Sequence, residues 1–341
     1  MAKHKARSQK RQKKNEGGKS INTLPLYIII LLLFIFYIMF QRYVVVSAFA
    51  GIALFLVIIT TIAVEMGASF KEEGVKKSVL ELSIAVVIVI VFWFGLKIVL
   101  GTQYPLNVVP TCSMLPVLHR GDLVVISGVT SAAELKAPIV NISSAEWNTT
   151  MSNFGTEFLE CAAYNASNET VSSVFKKGDE LVLFPTSGYN RIIDLNQQGN
   201  NLIKYGCGVR EVKASDGTSF LEAYTDYIKV GNTTIEGDRN NSIVVYKTVP
   251  QDYFYRMGDT YIVHRIYAII NASGTYYVLT KGDNNPGLDI QFGNYPILLQ
   301  RSNNYVEGKV IFVAPYIGYL RLIFSRQLSE PQGCNTTITH G

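Results

Sequence analysis

Four histidines occur in the 341 residues, and two of them, His4 and His340, stand near the ends. A proton-transferring imidazole at a folded site must therefore be His119 or His264. His264 lies in TYIVHRIYAII (260–270), where a two-residue alternation sets Ile262, His264 and Ile266 on one strand face. An imidazole on an apolar face is costly unless hydrogen-bonded. A satisfied core histidine is the plain reading, but imidazole is also the usual base for activating a serine near neutral pH. A serine is available in VVPTCSMLPVLHRGDLVVI (108–126), where Ser113 sits in a proline-bracketed turn that runs into a β-rich stretch. It is either a turn residue or a nucleophile. Acids come from TKGDNNPGLD (280–289), which holds Asp283 and Asp289 directly after a strand at Thr275–Lys281. The Asn271–Gly274 turn pairs that strand with the histidine's, and so brings the acidic loop to His264. The same Gly, Asp, Asn and Pro residues are also what ordinary turns use. Hydroxyl, imidazole and carboxylate together would perform acyl transfer.

Rivals exist for each role. His119 is nearer than His264 to Ser113 in sequence, but on a segment that turns away from it. Lys281 could serve as a lysine base, and Cys112 as a thiol nucleophile. Two usable histidines without ligand spacing imply no metal site, and no cofactor is expected.

The elements that must position these groups are mostly β. Runs at 121–126, 179–184, 242–247, 260–270, 275–281 and 306–313 are rich in β-branched and aromatic residues, and Gly, Asn, Asp and Pro punctuate them. YIGYLRLIF (316–324) is too short to span a membrane and is expected on the core or at the membrane surface. Cys112, Cys161, Cys207 and Cys334 allow three full pairings, of which Cys161 with Cys207 is the most natural.

Ahead of this region the chain is apolar. Residues 24–40, 44–64 and 79–100 are three runs of membrane-spanning length, the first the shortest. A cleaved leader is not expected, because the first run lacks a small-residue cleavage site and a second span follows at once. The first twenty residues hold eight Lys/Arg and one Glu, and KEEGVKKS (71–78) adds Lys71, Lys76 and Lys77. Both therefore belong inside the cell, which puts everything after about residue 102 outside. The tail's net +7 exceeds the +5 of the whole chain, so the remainder carries about −2 and offers no basic face for nucleic acid. A basic tail can bind nucleic acid, but the expected role here is the commoner one, topogenic or lipid-attracting. All eight Asn-x-Ser/Thr sequons, at Asn141, Asn148, Asn165, Asn168, Asn232, Asn240, Asn271 and Asn335, follow the third span.

The order Ser-Met-x-Pro…Gly-Asp, then Val-His-Arg, then Lys-Gly-Asp-Asn-Asn-x-x-x-Asp, behind an N-terminal anchor, resembles type I signal peptidases of the archaeal and endoplasmic-reticulum branch (Ser/His type, S26B-like). The likeness covers about 105–126 and 236–320. It implies a serine endopeptidase with Ser113 as nucleophile, His264 as general base where the bacterial branch has lysine, and Asp283 and Asp289 at the two acidic positions. Of these, Asp289 is the expected partner of His264. Thr111 stands where the family usually has serine, and with the Ser113 N–H it is assigned to an oxyanion hole. Implied partners are the signal peptides of secretory pre-proteins, the lipid bilayer and the protein-export machinery. The expected protein is mainly β and sits as a multi-pass protein in the plasma membrane, with its catalytic domain on the extracytoplasmic side. Its divisions are a basic cytoplasmic tail (1–22), three transmembrane helices (23–102), a catalytic antiparallel domain (103–129 and 236–324), an inserted glycosylated subdomain (130–235) and a C-terminal tail (325–341). The alternative is a membrane-anchored surface glycoprotein that only binds.

Overall fold

The computed structural model describes residues 23–40, 44–72, 75–151, 161–164, 170–173, 184–185, 191–194, 202–214, 217, 219–299, 305–327, 331, 334 and 336–338. The chain mixes apolar helices near its N-terminus with antiparallel sheets and divides into two compact units, Met1–Leu96 and Lys97–Gly341. The basic tail, the sequons at Asn165, Asn168 and Asn335, and the strand expected at 179–184 apart from Phe184 fall outside the described residues.

Three helices occupy the front: α1 (Leu24–Phe40), α2 (Val44–Glu72) and α3 (Val75–Leu100). Two stretches, Phe49–Gly67 in α2 and Leu82–Leu100 in α3, are long and apolar enough to cross a membrane, and α1 is a shorter apolar helix. Most of their described large apolar side chains are exposed, while Tyr37 of α1 and Ala50 and Thr61 of α2 are buried. Both longer helices run past their apolar cores, because Lys and Glu in the connection are good helix formers and nothing at 71–72 or 75–78 breaks the turn. Within the first unit the Tyr27 hydroxyl donates to Glu65 Oε1 at 2.7 Å.

The second unit is built on an eight-stranded sheet. Its path runs β1 (Leu106–Val108), β2 (Leu123–Ser127), β15 (Val306–Ala314), β11 (Ile243–Lys247), β12 (Tyr261–Ala272), β13 (Thr275–Lys281) and β14 (Ile297–Leu299). One parallel pairing interrupts the antiparallel pattern, where β3 (Ile139–Ile142) lies along the far half of β12, Ile269 to Ala272. The central strand departs from simple alternation. From His264 to Ile270 every residue of β12 is buried, because both sheet faces are covered. Ile266 and Ile269 pack with Val244, Tyr246 and Val278, while Tyr267, Ala268 and Ile270 pack with Leu279 and Leu288.

The segment 130–235, read from the sequence as an inserted subdomain, shares that core through its described strands. Its long hairpin of β8 (Ile203–Ala214) and β9 (Ser219–Val230), with β10 (Thr233–Glu236), buries Ile203, Tyr205, Ile228, Val230 and Ile235 against β12 and β13 residues. The short helix α4 (Ser144–Met151) adds Trp147, whose ring lies 4.8 Å from that of Tyr277. Beyond this, β6 (Phe184–Pro185) pairs with β9, and β4 (Cys161–Tyr164) pairs with β5 (Thr170–Ser173) and β7 (Arg191–Asp194). After β15, residues 319–324 form the short helix α6. The C-terminal segment returns to the sheet system, as β16 (Thr336–Ile338) pairs antiparallel with β8.

Candidate active site

Three neighbouring strands present one face to the site. Val244 of β11 lies directly opposite His264 of β12, so Tyr246, two residues further on, shares its face. On the other side Thr280 of β13 is registered with Ile266, again on the histidine's face. The acid loop that follows β13 folds back over this face and delivers Asp289 at the start of a 3-10 turn, Asp289–Phe292. Asp289 is 3% exposed, and its carboxylate meets His264 Nδ1 at 2.8 and 2.9 Å. Its Oδ2 also accepts from the Tyr246 hydroxyl at 2.7 Å and from Thr280 Oγ1 at 2.6 Å. Burial first, then the neighbouring carboxylate, pushes the Tyr246 hydroxyl well above its ordinary value, so it stays a donor.

The other imidazole nitrogen, Nε2, lies 2.9 Å from Ser113 Oγ across 151 residues of sequence. Ser113 rides on the turn between β1 and β2, whose Val109, Met114 and Leu118 pack with Val124, Ile126 and Val245. The turn is closed by Asp122, whose carboxylate accepts from the backbone N–H groups of His119 at 2.7 Å and Tyr316 at 3.0 Å. The acid loop grips the turn directly. Asn284 N–H donates to Ser113 O at 2.8 Å, and Asn284 Nδ2 donates to Cys112 O at 3.2 Å. This approach requires Gly282, since a Cβ there would lie 2.6 Å from Ser113 O. Thr111 Oγ1 lies 3.3 Å from Ser113 Oγ. Across the histidine, from α5 (Tyr253–Arg256), Phe254 sets its ring edge-on at 6.2 Å and 80°.

The other expected residues stand elsewhere. Asp283 does not reach His264. Its carboxylate takes two 2.8 Å bonds from Arg265, which also donates to Asn241 O at 2.7 Å. The His119 side chain is 42% exposed and lies 4.0 Å from Asp122 on the outside of the turn. Lys281 Nζ donates to Gly282 O at 3.3 Å, and burial, reinforced by Arg210, lowers its pKa to about 7. Cys112 is no nucleophile: its sulfur is bonded to Cys334. Cys207 is also disulfide-bonded, while the side chain of Cys161 lies outside the described residues. The sequon asparagines 141, 148, 232 and 240 are exposed and Asn271 is half-exposed.

Sequence reasoning missed Tyr246, Thr280, Asn284 and Phe254. The first two could have been found by carrying the two-residue alternation from His264 across to its neighbouring strands. Among the described residues no group of three or more His, Cys, Asp or Glu could hold a metal ion. Comparison with protein-family models, curated proteins and solved structures finds no match to this chain.

Proposed function

We propose that this chain is a membrane-anchored serine endopeptidase of the signal peptidase I type, removing signal peptides from secretory pre-proteins after small residues. One observation carries the reading: the unbroken hydrogen-bonded series Ser113–His264–Asp289, in which each group has the partner its role needs. Ser113 Oγ attacks the scissile carbonyl carbon as His264 Nε2 takes its proton. The imidazolium that forms is stabilised through Nδ1–H by Asp289, which Tyr246 and Thr280 hold in place. The Ser113 N–H and the Thr111 hydroxyl, which lies 3.3 Å from Ser113 Oγ, are the donors assigned to the developing oxyanion, each worth up to a few kcal/mol. His264 then protonates the leaving amine, the acyl-enzyme remains on Ser113, and water activated by the same imidazole hydrolyses it.

The apolar helices suit an enzyme whose substrates are themselves held in the bilayer. We place the β unit and its sequons on the extracytoplasmic side of the plasma membrane, with α1 as a further span beside α2 and α3. Pre-proteins, the bilayer and the export machinery are the partners. The test is cleavage of a membrane-inserted pre-protein by the purified chain and by Ser113→Ala. Loss of cleavage in a variant that stays folded supports the peptidase. Unchanged processing, or none by either protein on any small-residue precursor, leaves a binding glycoprotein as the better account.

A further inference from the structure

The two halves of the candidate site are tied to the same hairpin. The acid loop is braced by β9, where Thr225 N–H donates to Pro286 O at 2.8 Å and Thr225 Oγ1 to Gln291 Oε1 at 2.8 Å. That Gln291 oxygen in turn accepts from Leu288 N–H, one residue before the acid. From β8, Arg210 reaches Asn284 O at 3.4 Å, on the residue that grips Ser113. The nucleophile turn reaches the same hairpin by another route. Cys112, the residue before Ser113, is bonded to Cys334, and two residues on the chain enters β16, which pairs with β8 through Thr336–Ala214, Thr337–Lys213 and Ile338–Val212. Arg120, at the end of the turn, is also hydrogen-bonded to Gln327 O at the root of the C-terminal segment.

From this we infer that the C-terminal segment is a positioning tether. The Cys112–Cys334 bond and β16 fix the nucleophile turn to β8, so that one hairpin sets the distance between Ser113 and the His264–Asp289 pair. Without the tether, the turn keeps three residues of β1 pairing, the Asp122 closure and its packed Val109, Met114 and Leu118, but Asn284 alone grips the backbone of Cys112 and Ser113 from the acid loop. The turn then gains freedom in the direction that separates Oγ from Nε2. Cys112 and Cys334 touch no substrate in this scheme and act through Ser113. The inference rests on the peptidase reading for its catalytic consequence, but its mechanical half does not.

The test compares the full chain, in detergent or nanodiscs, with Cys112→Ala/Cys334→Ala. For the variant, kcat on a membrane-inserted precursor should fall about 10- to 100-fold, the scale of a roughly ångström displacement of a reacting group. KM should stay within about threefold, since a displaced nucleophile loses chemistry rather than ground-state binding. Amide exchange in peptides covering 109–118 and 282–286 should speed up, while β11–β12 stays protected. A disulfide that only stabilised the fold would lower the folded fraction and leave kcat per folded molecule intact. That result, or unchanged exchange at the two segments, overturns the tether. Failure of the parent chain to cleave any precursor would instead sink the peptidase reading, and the exchange comparison would still decide the tether. If the double variant does not fold, Thr337→Pro, which disrupts β16 but keeps the disulfide, is measured in the same way. A kcat and exchange indistinguishable from the parent rejects the idea there too.

Discussion

The acid loop and the nucleophile turn are both loops, yet they are held by different means. Asp289 is surrounded by side chains of the sheet itself: His264, Tyr246 and Thr280 converge on its carboxylate, and Asn294 caps its backbone oxygen at 3.0 Å. Ser113 receives no comparable support from strands. Its turn is gripped by Asn284, by the Asp122 closure and by a disulfide to a segment 222 residues away. On the proposed peptidase reading, a general base must keep one orientation through proton uptake and release, so a rigid polar floor suits it. A nucleophile must move by a fraction of an ångström toward its target, and is better held from behind.

The strongest way to break that contrast is at Asp289. Asn would keep the size and much of the bonding, but its amide N–H₂ facing Nδ1 favours the tautomer with the proton on Nε2, which cannot accept from Ser113. Precursor cleavage should fall about 10⁴-fold in kcat with little change in stability, measured by single-turnover kinetics and thermal melts. A loss below about tenfold would mean that Asp289 does not orient the base.

Asp283, six residues earlier on the same loop, separates architecture from chemistry. Asp283→Asn leaves the Arg265 guanidinium buried with its carboxylate partner gone, a change that costs about 3–5 kcal/mol when such a pair is broken. Denaturant unfolding should show a loss of that order, while kcat per folded molecule falls by less than about tenfold. If the activity loss matched that of Asp289→Asn, the division of labour between the two acids would be wrong.

What the sequence disclosed and what it hid follow the same division. Ser113, His264 and the acids Asp283 and Asp289 were legible as candidates from their settings: an imidazole on an apolar strand, a serine in a proline-bracketed turn and two acids in a glycine-containing loop beside the histidine's hairpin partner. The choice of Asp289 over Asp283 came only from the resemblance to the signal peptidase motifs. The β12–β13 pair was legible because only the short Asn271–Gly274 turn separates two β-rich runs, whereas the β11–β12 pair was not, since residues 248–260, with α5 among them, lie between its strands. Tyr246 and Thr280 were passed over because a tyrosine or threonine in a strand is unremarkable until its register is known. The β8–β9 hairpin was read as part of an inserted subdomain because Ser, Asn and Thr in its surroundings outweigh its buried Ile203, Tyr205, Ile228 and Val230. The Cys112–Cys334 bond was hidden by distance, since spacing favours nearby pairs and only the β16–β8 pairing brings that end of the chain back.

Lys281 offers a smaller effect that reads out stability alone. Its folded pKa of about 7 lies below the ordinary lysine value, so between about pH 7 and 10 the unfolded chain holds a proton that the folded chain does not. Stability should therefore rise with pH across that window. Lys281→Met, which keeps most of the stem volume and removes the charge, should flatten the rise in melts taken from pH 7 to 9. A slope that persists in the variant would assign it to another group.

The smallest expected effect tests the choice between the two histidines. His119 is six residues from Ser113, but the Asp122 closure sends its side chain to the outside of the turn, where it is 42% exposed and rests near the Tyr316 ring at 5.7 Å. Its backbone N–H, not its imidazole, makes the 2.7 Å bond that shapes the turn. His119→Ala keeps that N–H, so activity and stability should stay within about twofold and about 0.5 kcal/mol of the parent, as for an exposed side chain without a buried role. His264→Ala under the same assay should remove cleavage, because no other described imidazole reaches Ser113 Oγ. The opposite pattern, with His119 essential and His264 dispensable, would move the base to the outer side of the turn and undo the assignment of every residue that touches Asp289.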